Sequence, residues 1–218
     1  MILWFLITGI GNVLVTGFTA LTIAIWLAAS REWKMSLLWC ALAGAAMLVV
    51  LATKVAFIGW GIGIEAVDMT CISGHATRAA LVLPILSYFG LQSAPRKINS
   101  HAVFLGIGLA ALIAVSRVMV NAHSGSEALA GWMFGTSVSL LFLSAMNSQA
   151  ALRSRRWLLL CCFTLVFVSP AVKPIRSEDM ITKFALYLSG HDVPFTRKNW
   201  GHNSQEKQFW YSGKPSTL

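Results

Sequence analysis

The stretch from Ser116 to Glu127, SRVMVNAHSGSE, brings a guanidinium, an imidazole and a carboxylate close together along the chain. Glu127 follows His123 by four residues. On a helix the two side chains share a face, and the carboxylate can hold one ring nitrogen while the other stays free to attack. A neutral, oriented imidazole is what nucleophilic attack on phosphorus requires. Arg117 adds a planar fork of donors that matches phosphate oxygens. A second stretch, CISGHATR, sets Ser73, Gly74 and His75 at the start of an apolar run. A helix amino terminus with a glycine offers backbone N–H groups to an anion, and the Ser73 hydroxyl adds another donor. His75, beside that anion, can protonate a departing alcohol oxygen. Lys54, at the outer end of an earlier apolar run, brings one more positive charge for a phosphate.

The elements that must position these groups are apolar. With 56% hydrophobic and only 11% charged residues in 218, the chain is too apolar for a soluble domain and belongs in a bilayer. Five or six spans of about 20 residues fit its length, with no room for a second catalytic domain. The amino end lacks the basic start and small-residue cleavage site of a secretory signal. It reads as a short interfacial piece (Met1 to Thr8), a break (Gly9 to Asn12) and a first spanning helix (Val13 to Ala29). Further spans are expected at Ser36 to Thr53, His75 to Leu91, His101 to Val120, Leu129 to Met146 and Trp157 to Val172. Residues 1–172 thus form an all-α, polytopic transmembrane bundle, and residues 173–218 a polar tail. In that tail Met180, Ile181, Phe184, Ala185 and Leu188 share one face of an interfacial amphipathic helix.

The formal charge of +9 does not line one face, as a nucleic-acid surface would, but falls between the apolar runs. Arg31 and Lys34, Arg96 and Lys97, and Arg153, Arg155 and Arg156 occupy alternate loops, which the positive-inside rule places in the cytoplasm. Both histidine-bearing loops then share the outer face. Charged groups at membrane depth are costly and rarely gather without function. Outside the two clusters, His101, His191 and His202 read as interfacial or tail residues, and Glu65 and Asp68 as loop solvation. The cysteines Cys40, Cys71, Cys161 and Cys162 lack metal-ligand spacing. The small residues of AGAA and GIGLAALIA read as helix-packing positions.

The two stretches together resemble the PAP2 (type-2 phosphatidic acid phosphatase) superfamily, whose motifs are Lys-x6-Arg-Pro, Pro-Ser-Gly-His and Ser-Arg-x5-His-x3-Asp. The third is met by Ser116, Arg117, His123 and Glu127, and the second by Ser73, Gly74 and His75, so the resemblance runs from Lys54 to about Trp132. It implies that His123 becomes phosphorylated, that Glu127 orients it and that His75 is the general acid. It further implies that Lys54, Ser73, Gly74 and Arg117 bind phosphate. There are three departures from the pattern: Gly61 and Ile62 stand where Arg-Pro is usual, Ile72 replaces the proline before Ser73, and Glu127 replaces Asp. Arg78 is close enough in sequence to stand in for the missing arginine.

The expected activity is therefore metal-independent hydrolysis of a lipid phosphate at the outer boundary of a cell membrane. Undecaprenyl pyrophosphate, phosphatidic acid, phosphatidylglycerol phosphate and lipid A phosphates all fit, and the sequence does not separate them. No cofactor is expected, since neither aspartate clusters nor His-rich ligand sets stand where Mg or Zn would require them. The alternative is a catalytically weak relative that binds phospholipid headgroups as a scaffold or carrier, a reading that the broken first motif supports.

Overall fold

A computed structural model describes residues 2–91, 100–146 and 177–197. The expected span Trp157 to Val172, the basic residues Arg96, Lys97, Arg153, Arg155 and Arg156, and Cys161, Cys162 and His202 lie outside the described residues. Among those described, the regular structure is helical: α1 (Ile2–Ile10), α2 (Val13–Ala29), α3 (Trp33–Trp60), α4 (Gly74–Leu91), α5 (Ser100–Met119), α6 (Gly125–Ala145) and α7 (Ser177–Ser189). Four stretches among the described residues are long and apolar enough to cross a membrane: Leu3–Ala29, Trp33–Trp60, Ser100–Met119 and Gly125–Ala145. The protein is an all-α membrane bundle.

Local chemistry sets the helix ends. Asn12 caps α2, its side-chain oxygen accepting from Leu14 N at 3.1 Å. At the other end Arg31 takes a left-handed conformation (φ 62°). Helix α3 runs past the expected end at Thr53, because VAFIGW continues the helix until Gly61 stops it in a left-handed conformation (φ 66°). Lys54 therefore sits inside α3, not at its end. Helix α6 begins earlier than its apolar run, at Gly125, because Ser124 and Glu127 form a capping box.

The chain divides into two compact units. The first combines Met1–Val50 with Ile72–Pro174, and α4 is central to it, packing against α2, α5 and α6. Enclosure by protein explains why α4, with Arg78 and Pro84 within it, is less apolar than its neighbours. Small residues permit the close approach. A Cβ on Gly131 would come within 2.6 Å of Ser73 O, one on Gly135 would strike Thr77 O, and one on Gly106 would lie 2.5 Å from Leu83 O. Gly106 belongs to the expected packing stretch, whereas Gly44 and Gly108 face open space. Away from these crossings Trp26, Trp39, Tyr88, Phe89 and Phe142 build an aromatic core. Within it the Trp26 and Phe89 rings stand edge to face at 4.6 Å.

The second unit combines Leu51–Cys71 with Ile175–Leu218. Here α7 lies against the last turns of α3, so closely that a Cβ on Gly59 would be 3.2 Å from both Ala185 O and Ser189 Cβ. Ala185 is accordingly buried, while Met180, Phe184 and Leu188 are exposed. His191 Nδ1 donates to Gly59 O at 2.8 Å, and Arg197 pairs with Asp68 at 2.7 Å.

Candidate active site

The spacing of the SRVMVNAHSGSE stretch is the spacing of two helix caps placed back to back. Helix α5 ends in a Schellman motif: Ala122 N–H donates to Arg117 O at 3.0 Å and Asn121 N–H to Val118 O at 2.9 Å. Asn121 takes the left-handed conformation (φ 55°) that this turn needs and that asparagine tolerates. His123 follows at once, its N–H 3.3 Å from Arg117 O, and Ser124 then caps α6. The arginine and the histidine are thus tied through the backbone by one tight reversal.

His123 Nδ1 lies 2.7 Å from Glu127 Oε2. The same oxygen accepts the Ser124 N–H at 3.2 Å, and Ser124 Oγ accepts the Glu127 N–H at 3.3 Å. Glu127 is fully buried. One carboxylate therefore closes the capping box and orients the imidazole. That double task accounts for the longer acid here, since a capping box calls for Glu or Gln at its third helical position. A carboxylate accepts, so Nδ1 carries a proton, and in the neutral ring Nε2 is then the nitrogen with the lone pair.

The second stretch is joined to the first by backbone. Ser73 N–H donates to Glu127 O at 3.2 Å, and Ser73 O accepts from both the Thr77 N–H at 3.0 Å and the Thr77 hydroxyl at 2.9 Å. Ser73 Oγ is buried with no hydrogen-bond partner among the described residues, at the amino terminus of α4 where helix N–H groups favour an anion. His75 and Arg78 lie on the first turns of the same helix, with Arg78 Nη2 3.4 Å from His75 Nδ1. A guanidinium only donates, so in this long contact Nδ1 is the acceptor and the ring proton sits on Nε2. A Cβ on Gly74 would lie 3.1 Å from Arg78 Nη1, so the absence of a side chain there leaves room for the guanidinium.

The structure places Ser73, Gly74, His75, Arg78, Arg117, His123 and Glu127 in the first unit, at the ends of α4, α5 and α6. Lys54 belongs to the second unit, where its ammonium pairs with Glu178 on α7 at 2.6 Å. Gly61, at the position of the missing arginine, has a left-handed φ, and a Cβ there would be 2.8 Å from the Phe195 ring. An arginine at that point would be strained as well as crowded. Thr8, near the end of α1, and Gly11, in the turn that follows it, also reach the site. Thr8 Oγ1 accepts from Arg117 Nη1 at 2.9 Å, and Gly11 O lies 3.5 Å from Arg78 Nη2. Nothing in the local pattern TGIGN signals contact with arginines more than sixty residues away.

The sequence pattern of the PAP2 superfamily matches residues 63–151, beginning after Lys54, Gly61 and Ile62. The chain is also similar to an uncharacterized 22.5 kDa protein in the cps region of Klebsiella pneumoniae. The two are 31% identical over 216 residues, covering 95% of this chain and 99% of that one. No solved structure matches the chain.

Proposed function

Because this chain belongs to the PAP2 superfamily, whose membership supports a phosphatase-type activity, we propose that it hydrolyses a lipid phosphate or pyrophosphate through a phosphohistidine on His123. The observation that carries the reading is the 2.7 Å bond from His123 Nδ1 to the buried Glu127 carboxylate. It leaves Nε2 as the nucleophile and provides the negative charge that steadies the ring once it turns cationic. In the first step Nε2 attacks phosphorus, the P–N bond forms and the P–O bond to the lipid breaks. The departing oxygen takes a proton from His75. A phosphate that draws Arg78 toward itself also frees His75 Nδ1, so that the ring can carry the second proton which general acid catalysis needs. In the second step His75 removes a proton from water, the water oxygen attacks phosphorus, the P–N bond breaks and inorganic phosphate leaves.

Arg117, Arg78, Ser73 Oγ and the first N–H groups of α4 are the proposed phosphate ligands. No step calls on a metal. An apolar cavity of about 360 Å³ between α5 and α6 supports an amphiphilic substrate: it is lined by Ala114, Val118, Gly125, Ala128, Leu129 and Trp132, next to the turns that carry Arg117 and Glu127. The proposed orientation sets this end of the bundle at the outer face of the cell membrane.

The test is phosphate release by purified protein from a panel of lipid phosphates, followed by a rapid quench with labelled substrate and counting of protein-bound phosphate at neutral or alkaline pH, where phosphohistidine survives. His123→Ala should abolish turnover and leave no phosphate on the protein. His75→Ala should slow the first step, and a substrate with a good leaving group should recover much of that rate. Wild-type hydrolysis by His123→Ala would sink the mechanism and favour the headgroup-binding alternative.

A further inference from the structure

Helix α1 continues through Ile10, so the expected break at Gly9 to Asn12 narrows to a turn at Gly11 and Asn12 that bonds back onto α1. Gly11 N–H donates to Thr8 O and Asn12 N–H to Gly9 O, each at 3.0 Å, and Asn12 then caps α2. Helix α1 packs on α5, and the turn is pressed into the bundle. Gly11 is buried, and a Cβ on it would lie 2.9 Å from Ile113 Cγ2 and 3.4 Å from His75 Cδ2. In this position the last turn of α1 and the residue after it present two acceptors to two cations: the Thr8 hydroxyl to Arg117 Nη1 at 2.9 Å and the Gly11 carbonyl to Arg78 Nη2 at 3.5 Å. A free guanidinium rotates about several bonds and repels its like-charged neighbour. One N–H held from behind restricts the plane of the fork that meets an anion.

We propose that Thr8 is a positioning residue, whose hydroxyl holds the Arg117 guanidinium in the plane in which it meets a phosphoryl group. This rests on the phosphatase reading for the identity of the anion, but its geometry belongs to a segment that no family motif includes. The Thr8 bond is the strong one, being charge-assisted and short, whereas the Gly11 contact is at the limit of hydrogen-bonding distance. Thr8→Val keeps the branched shape and deletes the acceptor. Thr8→Ser keeps the acceptor and deletes a methyl group.

The experiment measures binding of orthovanadate to the full-length protein in detergent, alongside phosphate release from lipid phosphates. Thr8→Val is expected to weaken vanadate about tenfold, in line with loss of one charge-assisted bond, and Thr8→Ser to stay within about twofold of wild type on the same scale. In an Arg117→Lys background, where the fork is gone, Thr8→Val should add less than about twofold, because the two residues act as one unit. Wild-type binding by Thr8→Val, equal losses in Thr8→Val and Thr8→Ser, full additivity with Arg117→Lys, or no vanadate binding by the wild-type protein would each overturn the assignment. Vanadate binding without phosphate release would instead sink the phosphatase reading and leave the role of Thr8 to the variant comparison.

Discussion

Glu127 performs two tasks with one carboxylate, and the two can be separated by substitution. Glu127→Gln preserves reach and the capping geometry while removing the charge beside His123. It should lower kcat by about a hundredfold or more, because the cationic ring loses its counter-charge, with little change in thermal unfolding. Glu127→Asp keeps the charge but falls short of the Ser124 N–H, and should cost about 1 kcal/mol of stability through the lost cap as well as activity. Kinetics and thermal unfolding of the two variants in detergent separate the tasks. Arg78 is argued to replace the arginine for which Gly61 leaves no room. Arg78→Ala should reduce the rate at saturating lipid phosphate at least tenfold, since a charged donor to a transition-state oxygen contributes up to about 3 kcal/mol. Unchanged saturating kinetics would remove Arg78 from the site.

At the scale of the elements, the reversal between α5 and α6 is the device that sets His123 beside Arg117. Its left-handed residue is Asn121. Asn121→Gly should be tolerated, because glycine enters that region freely. Asn121→Val should cost roughly 1–2 kcal/mol and shift the histidine, because a β-branched side chain is strained there. The readouts are the unfolding midpoint and the amount of base-stable phosphohistidine trapped on the protein, and both should fall for Val but not for Gly. Equal behaviour of the two variants would show that the turn does not govern the site. The neighbouring elements add rigidity: with Gly131 against Ser73 O and Gly135 against Thr77 O, α4 cannot slide along α6 without a clash.

For the molecule as a whole, the charge bias predicts a sidedness that is open to direct measurement. In a cysteine-free background, a cysteine placed within residues 63–70 should react with an impermeant thiol reagent in intact cells. One within residues 93–100 should be shielded until the membrane is opened. The opposite pattern would invert the bundle and put the chemistry at the cytoplasmic face. The exposed Met180, Phe184 and Leu188 of α7 suit a helix lying at the headgroup boundary, next to which the Lys54–Glu178 pair forms within the same unit.

The amino-acid sequence by itself determined what depends on near neighbours. Apolar runs specify the membrane bundle because no other solvent suits them, and the expected and observed helices agree to within a residue or two for α2, α4 and α5. The His123–Glu127 pairing was legible from the four-residue spacing, although His123 stands before the cap of α6 and the carboxylate reaches it from the capping box. Hydropathy places the start of α6 too late, at Leu129, whereas the capping signal, Ser124 followed by Glu127, marks its start at Gly125. Only the tertiary structure decided the rest. Thr8 reaches Arg117 across 109 positions, Ser73 meets Glu127 through backbone, and Lys54 finds Glu178 across 124 positions. Such contacts follow from how helices stack, and stacking is set by the summed fit of many side chains, which no local pattern encodes. Gly61 shows the same limit: its sequence reveals a missing arginine, but only its left-handed φ and the Phe195 ring beside it explain why a glycine stands there.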